Sequence, residues 1–162
     1  MNILFIGGHS NAGKTTLFDS IKSIFEEKDI IKEKSNGSEG LEVEDYIALV
    51  QDKNKKYFIL NSSSDEEGLV DALIEFVDTC KNEGFLVDTL ILAIRSDGDW
   101  MRDYLLEELK KHQLLSNEEE IIEFPLARIN GNNSVATYEW YKETAKKMIL
   151  WILSQSPFSL NI

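Results

Sequence analysis

Apolar and polar positions repeat along the chain with two periods, one typical of strands and the other of helices. Short apolar runs between polar or glycine-containing segments predict five strands, at residues 3–6, 43–50, 57–60, 87–94 and 120–126. Apolar residues that recur every three to four positions predict four helices, at residues 15–28, 68–82, 100–112 and 134–153. The alternation of the two kinds of element predicts an α/β protein.

The order of these elements also predicts how the strands pair. Strands 43–50 and 57–60 flank a polar stretch typical of a turn, so we expect them to form an antiparallel hairpin. Because the other strands alternate with helices, we expect a mostly parallel five-stranded sheet with one antiparallel hairpin strand and helices on both faces. Residues 32–40 are polar and contain glycine, which predicts a mobile loop. The length suits a single domain spanning residues 1–162.

Residues 8–15 carry the most specific chemical signal in the chain. They read Gly-His-Ser-Asn-Ala-Gly-Lys-Thr, which is the complete G-x-x-x-x-G-K-[ST] pattern of a phosphate-binding P-loop. A predicted strand enters the loop and a predicted helix leaves it, so that loop amides and the helix N-terminus can bind phosphate oxygens. The pattern predicts a nucleotide site formed by Gly8, His9, Ser10, Asn11, Ala12, Gly13, Lys14, Thr15 and Thr16.

Individual residues of this motif have distinct expected roles. Gly8 and Gly13 permit backbone angles and close approaches that a side chain would prevent. We expect Lys14 to reach the β- and γ-phosphates as a catalytic residue, and the Thr15 hydroxyl to coordinate Mg²⁺. The expected ligand is therefore Mg²⁺ with ATP or GTP.

The polar segment after the strand at 57–60 lies at the same expected edge of the sheet. It reads Asn-Ser-Ser-Ser-Asp-Glu-Glu from residue 61 and resembles the switch region of small GTPases, which usually has Asp-x-x-Gly after an apolar strand. With the P-loop and the hairpin, the resemblance covers roughly a third of the chain and implies a three-layer P-loop NTPase fold. Asn61 stands where that family has Asp, and Ser64 stands where it has Gly.

Asp65 has two interpretations in this segment. It is a candidate metal ligand and catalytic residue that takes over the charge missing at Asn61. Alternatively, it favours the start of the next helix through the helix dipole. The Asn-Lys-x-Asp motif that selects guanine in GTPases is also missing; residues 94–97 and 127–130 are its nearest approximations. The sequence therefore leaves the base undetermined and disfavours specificity for GTP.

The chain has three arginines, and all of them follow or lie near predicted strand ends. Arg95 and Arg128 are catalytic candidates because a guanidinium matches phosphate oxygens and transition-state charge. The stretch from Arg95 to Arg102 resembles a short lid of nucleotide and metabolite kinases, in which Asp97 and Asp99 could hold Mg²⁺ or accept a proton. The alternative for all three arginines is ion pairing at an acidic surface.

Charge and cysteine content exclude some partners and favour a compartment. The net charge of −12 argues against a nucleic-acid surface and against an anionic membrane surface. Cys80 is the single cysteine, so no internal disulfide can form, and no apolar run approaches the length of a membrane span. We therefore expect a cytoplasmic protein.

Trp140 and Trp151 lie near one face of the last predicted helix. They either flank the core or contact another subunit, and the sequence leaves the oligomeric state open.

Three functions remain open on this basis. A Mg²⁺-dependent NTPase is favoured by the hairpin. A nucleotide or small-metabolite kinase is favoured by the arginines and by the missing base motif. A nucleotide-binding interaction module with little turnover is favoured by Asn61 in place of an acid.

Overall fold

The computed structural model describes residues 1–9, 12–35, 45–64, 66–95, 99–115, 121–127 and 135–162. Within this part of the chain the strands are β1 Asn2–Gly7, β2 Ile30–Ser35, β3 Tyr46–Gln51, β4 Tyr57–Asn61, β5 Val87–Ile94 and β6 Ile121–Pro125. The α-helices are α1 Lys14–Lys22, α2 Glu67–Asn82, α3 Asp99–Lys111 and α4 Val135–Ser154. No helix in the described part is both long and apolar enough to cross a membrane.

The strands form one mixed sheet in the order β2-β3-β4-β5-β1-β6. Strands β4, β5, β1 and β6 are parallel to one another, and β3 is antiparallel to both of its neighbours. The expected α/β class, the antiparallel hairpin and the mostly parallel sheet are confirmed, but the sheet has six strands rather than five. The carboxyl ends of the four parallel strands share one edge, where ligands usually bind in such sheets.

The additional strand, β2, is the main departure from the sequence-based expectation. Residues 32–35 were expected to begin a mobile loop, and this is wrong because they pair with β3. β2 lies at the edge of the sheet, and its last three residues are exposed. An edge strand with polar side chains on both sides lacks the apolar alternation that marks a half-buried strand.

The first helix is shorter than its apolar pattern predicts. It ends at Lys22, and the chain then turns so that Phe25 contacts Phe58 of β4 with ring centroids 5.5 Å apart. The apolar spacing of the sequence predicts Ile24 on the same face as Leu17 and Ile21, but Ile24 is 38% exposed. The apolar residues after Lys22 therefore belong to a turn that packs against the sheet. The sequence alone does not distinguish such a turn from one more turn of helix, because both would contain the same apolar residues.

Apolar layers cover both faces of the sheet. One layer packs α1 and α4 against residues such as Leu4 and Ile6, and the other packs α2 and α3 against Ile3 and Phe5. The central strands are therefore buried on both sides, which explains their continuous apolar runs. Helices on both faces are confirmed.

Helix α4 packs through a stripe that is partly different from the expected one. The apolar spacing of the sequence predicts one stripe made of Tyr138, Tyr141, Ala145, Met148 and Ile152. Ala145 is buried, but Ile149 and Leu153 are the other buried positions, and Met148 is 50% exposed. Met148 and Ile149 are adjacent apolar residues, and so are Ile152 and Leu153. Apolar periodicity alone therefore does not determine which member of each pair faces the core.

Candidate functional site

The P-loop motif lies between the carboxyl end of β1 and the start of α1. The amide of Gly8 donates a hydrogen bond to the carbonyl of Ile94 over 3.1 Å, and the amide of Leu126 donates to the carbonyl of Gly7 over 2.6 Å. These bonds join the ends of β5, β1 and β6 around the first residue of the loop. The loop is thereby placed at the edge of the sheet where four parallel strands end.

The loop returns to the helix through a left-handed residue. The amide of Ala12 donates to the carbonyl of His9 over 3.1 Å, and Gly13 then adopts φ 80° and ψ 21°. The Gly13 carbonyl accepts the first helical hydrogen bond, from Leu17, over 3.0 Å. The positive end of the α1 dipole therefore faces the loop. Ser10 and Asn11 lie outside the described residues.

Both glycines of the motif occupy positions at which a side chain would collide. A Cβ on Gly8 would lie 3.0 Å from the Cβ of Ala12 and 3.3 Å from that of Leu126. A Cβ on Gly13 would lie 3.1 Å from the hydroxyl of Tyr138, in addition to the strain of its positive φ. The close approach expected from the sequence thus has specific partners.

Lys14 is folded over the loop that precedes it. Its ammonium donates to the carbonyl of Gly8 over 2.8 Å and to the carbonyl of His9 over 3.1 Å. The side chain therefore spans the loop and holds a positive charge against it. His9 is exposed, and it accepts the second of these bonds through its carbonyl rather than its ring.

Asp45 is a site residue that the sequence did not reveal. The hydroxyl of Thr15 donates to Asp45 Oδ1 over 3.4 Å, and the hydroxyl of Ser62 donates to the same oxygen over 3.2 Å. Ser62 is itself fixed by the Tyr46 amide, which donates to its Oγ over 2.9 Å. The expected strand at 43–50 included Asp45, whereas β3 begins only after it. An acid directly before an apolar run was the one available signal.

The oxygen atoms of Thr15 and Asp45 fit a small divalent cation. Mg²⁺ prefers hard oxygen ligands and usually takes one or two from the protein, together with phosphate oxygens and water. Neighbouring ligands of an octahedral Mg²⁺ lie about 2.9 Å apart, so the pair would need to approach by only about half an ångström. In the described part of the chain no group of three or more His, Cys, Asp or Glu side chains could hold a metal. Asp65, the acid expected at the metal, lies outside that part.

Asn61 is fully buried at the end of β4 and turns toward its own loop. Its amide nitrogen donates to Oγ of Ser64 over 2.8 Å, and its Oδ1 accepts the amide of Ser63 over 3.4 Å. The side chain thus caps the strand end. These contacts occupy both ends of the amide that the sequence placed in the position of a metal-associated acid.

The described arginines have different surroundings. Arg95 is exposed and directly follows Ile94, whose carbonyl bonds Gly8, so its backbone is adjacent to the loop. Arg102 forms an ion pair with Glu123 of β6. Glu123 is level with Phe5, in the middle of β1, so this pair lies away from the carboxyl edge. The other residues expected here, Asp97 and Arg128, lie outside the described residues, and of Asp99 only the backbone is described, as the first residue of α3.

Helix α4 supports the loop from its outer side. Tyr138 lies against Gly13, and the hydroxyl of Tyr141 accepts the amide of Ala127 over 2.6 Å. A narrow crevice of about 10 Å³ separates the two surfaces, which is about the volume of one water-sized probe. The sequence places both tyrosines on one stripe of the last helix, and the contacts of Tyr138 with Gly13 and of Tyr141 with Ala127 follow only from the tertiary structure.

Two carboxylates, those of Asp19 and Asp45, interact near the first turns of α1. Burial raises the pKa of Asp19, and the neighbouring Asp45 carboxylate raises it further, while Lys22 opposes the change. Asp19 lies one helical turn after Thr15. Negative charge is therefore concentrated close to the proposed metal ligand.

Comparison with known proteins gives no relative from which a function could be transferred. The chain matches no protein-family model, no curated protein and no solved structure at a significant level.

Proposed function

We propose that this chain is a P-loop nucleoside-triphosphate-binding protein with the three-layer fold of that superfamily, and that it hydrolyses ATP or GTP with Mg²⁺. The observation that carries the proposal is the geometry of residues 8, 9 and 12–15, the part of the motif that the structure describes. The motif connects a central parallel strand to a helix N-terminus, and Lys14 is folded onto the loop. A Cβ at Gly8 or Gly13 would lie only 3.0–3.1 Å from its nearest neighbour, so a side chain at either position would require that neighbour to shift.

The residues at this edge suit charge stabilisation and positioning. Amides of the loop and of the first turn of α1 would bind phosphate oxygens, and Lys14 would neutralise the β- and γ-phosphates. Thr15 would hold Mg²⁺, which when bound reduces the phosphate charge and orients the γ-phosphate. Arg95 is the arginine closest in sequence to the loop contact at Ile94 and is the candidate for transition-state charge.

A second candidate function, a nucleotide-binding interaction module with little turnover, is supported by Asn61. Its amide is buried and bonded to Ser64 and Ser63, so this position supplies no negative charge for a metal or a water. The antiparallel strand β3 and the Arg102–Glu123 pair give the kinase alternative less support. The single cysteine and the net charge support a cytoplasmic location without a nucleic-acid partner.

The test incubates the protein with Mg²⁺ and each common nucleoside triphosphate, with and without nucleoside monophosphates. Phosphate release from the triphosphate alone supports the NTPase. Diphosphate formation only with an acceptor supports the kinase, and binding without turnover supports the module.

Lys14→Ala provides the control for this experiment. We expect it to lose most of the triphosphate affinity, because it removes the charge that faces the phosphates, while the thermal midpoint stays within a few degrees of wild type. Equal nucleotide affinity in the variant and the wild type would overturn the P-loop assignment. A large drop in the thermal midpoint would show instead that Lys14 serves the fold.

A further inference from the structure

Asp45 presents a negative charge beside the hydroxyl that is expected to hold the metal. Its Oδ1 lies 3.4 Å from Oγ1 of Thr15 and 3.2 Å from Oγ of Ser62. Both donors are neutral hydroxyls, which fix the position of the carboxylate without neutralising it. The side chain is partly buried, at the start of β3.

A triphosphate bound on the loop would bring its own negative oxygens to this region. The loop amides and the first turn of α1 are the phosphate ligands of the motif, and Thr15 belongs to that turn. Like charges a few ångströms apart near a protein surface repel by several times the thermal energy. A divalent cation between them reverses the sign of the interaction, because it attracts both the carboxylate and the phosphate.

We propose that Asp45 makes triphosphate binding conditional on a divalent cation, since it repels the metal-free triphosphate and supplies an oxygen ligand to the metal complex. The inference rests on the proposed triphosphate site, and it specifies the ligand of that site as the metal–triphosphate complex.

A structural role for Asp45 predicts a different behaviour. A carboxylate near the N-terminus of α1 interacts favourably with the helix dipole and accepts a hydrogen bond from the Thr15 hydroxyl. Loss of that role would lower the stability of the protein with and without nucleotide. It would leave unchanged the ratio of the affinities measured with and without metal, and this ratio therefore distinguishes the two roles.

The experiment measures ATP and GTP affinity by calorimetry in excess Mg²⁺ and in EDTA, at one ionic strength. The variants are Asp45→Asn, Asp45→Ser and Asp45→Glu. Asp103→Asn is the matched control, because it removes the same charge from an exposed position of α3 on the opposite face of the sheet. Thermal midpoints of all variants report on the fold.

In Asp45→Asn we expect the metal-free affinity to rise and the ratio of the two affinities to fall by on the order of tenfold or more. Asp45→Ser should behave in the same way and decides the question if the Asn variant does not fold. Asp45→Glu should keep most of the ratio, and Asp103→Asn should keep all of it.

Two results would overturn the inference, and they are distinguishable. If the wild type binds Mg²⁺–triphosphate and the Asn and Ser variants keep its ratio, Asp45 has only a structural role and the proposed function stands. If the wild type binds neither nucleotide in Mg²⁺, the proposed function fails and the inference fails with it.

Discussion

Among the single residues of the site, Asn61 has the most constrained surroundings. It is fully buried, and both ends of its amide are hydrogen-bonded within the loop that follows β4. The sequence predicts this position as that of a metal-associated residue, whereas the contacts of Asn61 lie within its own loop. A carboxylate at this position would be buried, and it could not donate the hydrogen bond that the Asn61 amide gives to Ser64. Burial of a charge without a compensating partner is costly.

We therefore predict that Asn61→Asp destabilises the fold by about 2 kcal/mol or more and does not increase Mg²⁺-dependent nucleotide affinity. Urea unfolding and nucleotide titration with and without Mg²⁺ measure the two effects. Asn82→Asp, at the exposed last residue of α2, is the control. It should leave nucleotide affinity unchanged and lower stability by no more than about 1 kcal/mol, the cost of a negative charge at the negative end of a helix dipole. An increase of metal-dependent affinity in Asn61→Asp would show that this side chain can reach the metal.

At the scale of elements, the loop conformation depends on contacts from several strands and from α4. Bonds from Gly8 and Leu126 attach the loop to β5 and β6, and Tyr138 of α4 covers Gly13. The loop is therefore held on both sides by elements distant in the sequence. Gly13, which is left-handed, lies against that tyrosine.

We predict that Gly13→Ala destabilises the protein by about 1–2 kcal/mol through its left-handed φ, with a further cost from the Tyr138 contact. Gly84→Ala isolates the first effect, because Gly84 has φ +90° and no atom within 4 Å of its added Cβ. Removal of the Tyr138 hydroxyl, in Gly13→Ala combined with Tyr138→Phe, should recover part of the additional loss. Urea unfolding of the three variants measures both effects, and equal losses for Gly13→Ala and Gly84→Ala would exclude a contribution from Tyr138.

At the scale of the whole molecule, the end of the chain is attached to the hairpin. Asp52, in the turn between β3 and β4, is 5% exposed. Its carboxylate accepts the amides of Asn54, Lys56 and Asn161 over 2.9, 2.7 and 2.8 Å. Phe158 is buried in the apolar layer that packs α1 and α4 against the sheet. The tail, which the sequence marks only as short and partly apolar, thus joins the hairpin to the last helix.

We predict that Asp52→Ala destabilises the protein by about 3 kcal/mol, because three backbone amides lose a charged acceptor. Urea unfolding measures the loss, with Asp103→Ala at an exposed site as the control. Hydrogen exchange at Asn161 should also become faster if the tail detaches. A loss no larger than that of the control would mean that the tail is held by its apolar residues alone.

The sequence by itself determined the features whose signal is local. The central strands are buried on both faces and therefore appear as continuous apolar runs, the helices show their apolar periodicity, and residues 8–15 contain a complete motif in eight consecutive positions. Only the tertiary structure decided the pairing of polar β2 with β3, the choice between Met148 and Ile149, and the meeting of Thr15 with Asp45. That contact joins residues 30 positions apart. Periodicity reports which residues are buried, whereas the partner of a polar side chain depends on how distant segments pack, and no local pattern encodes it.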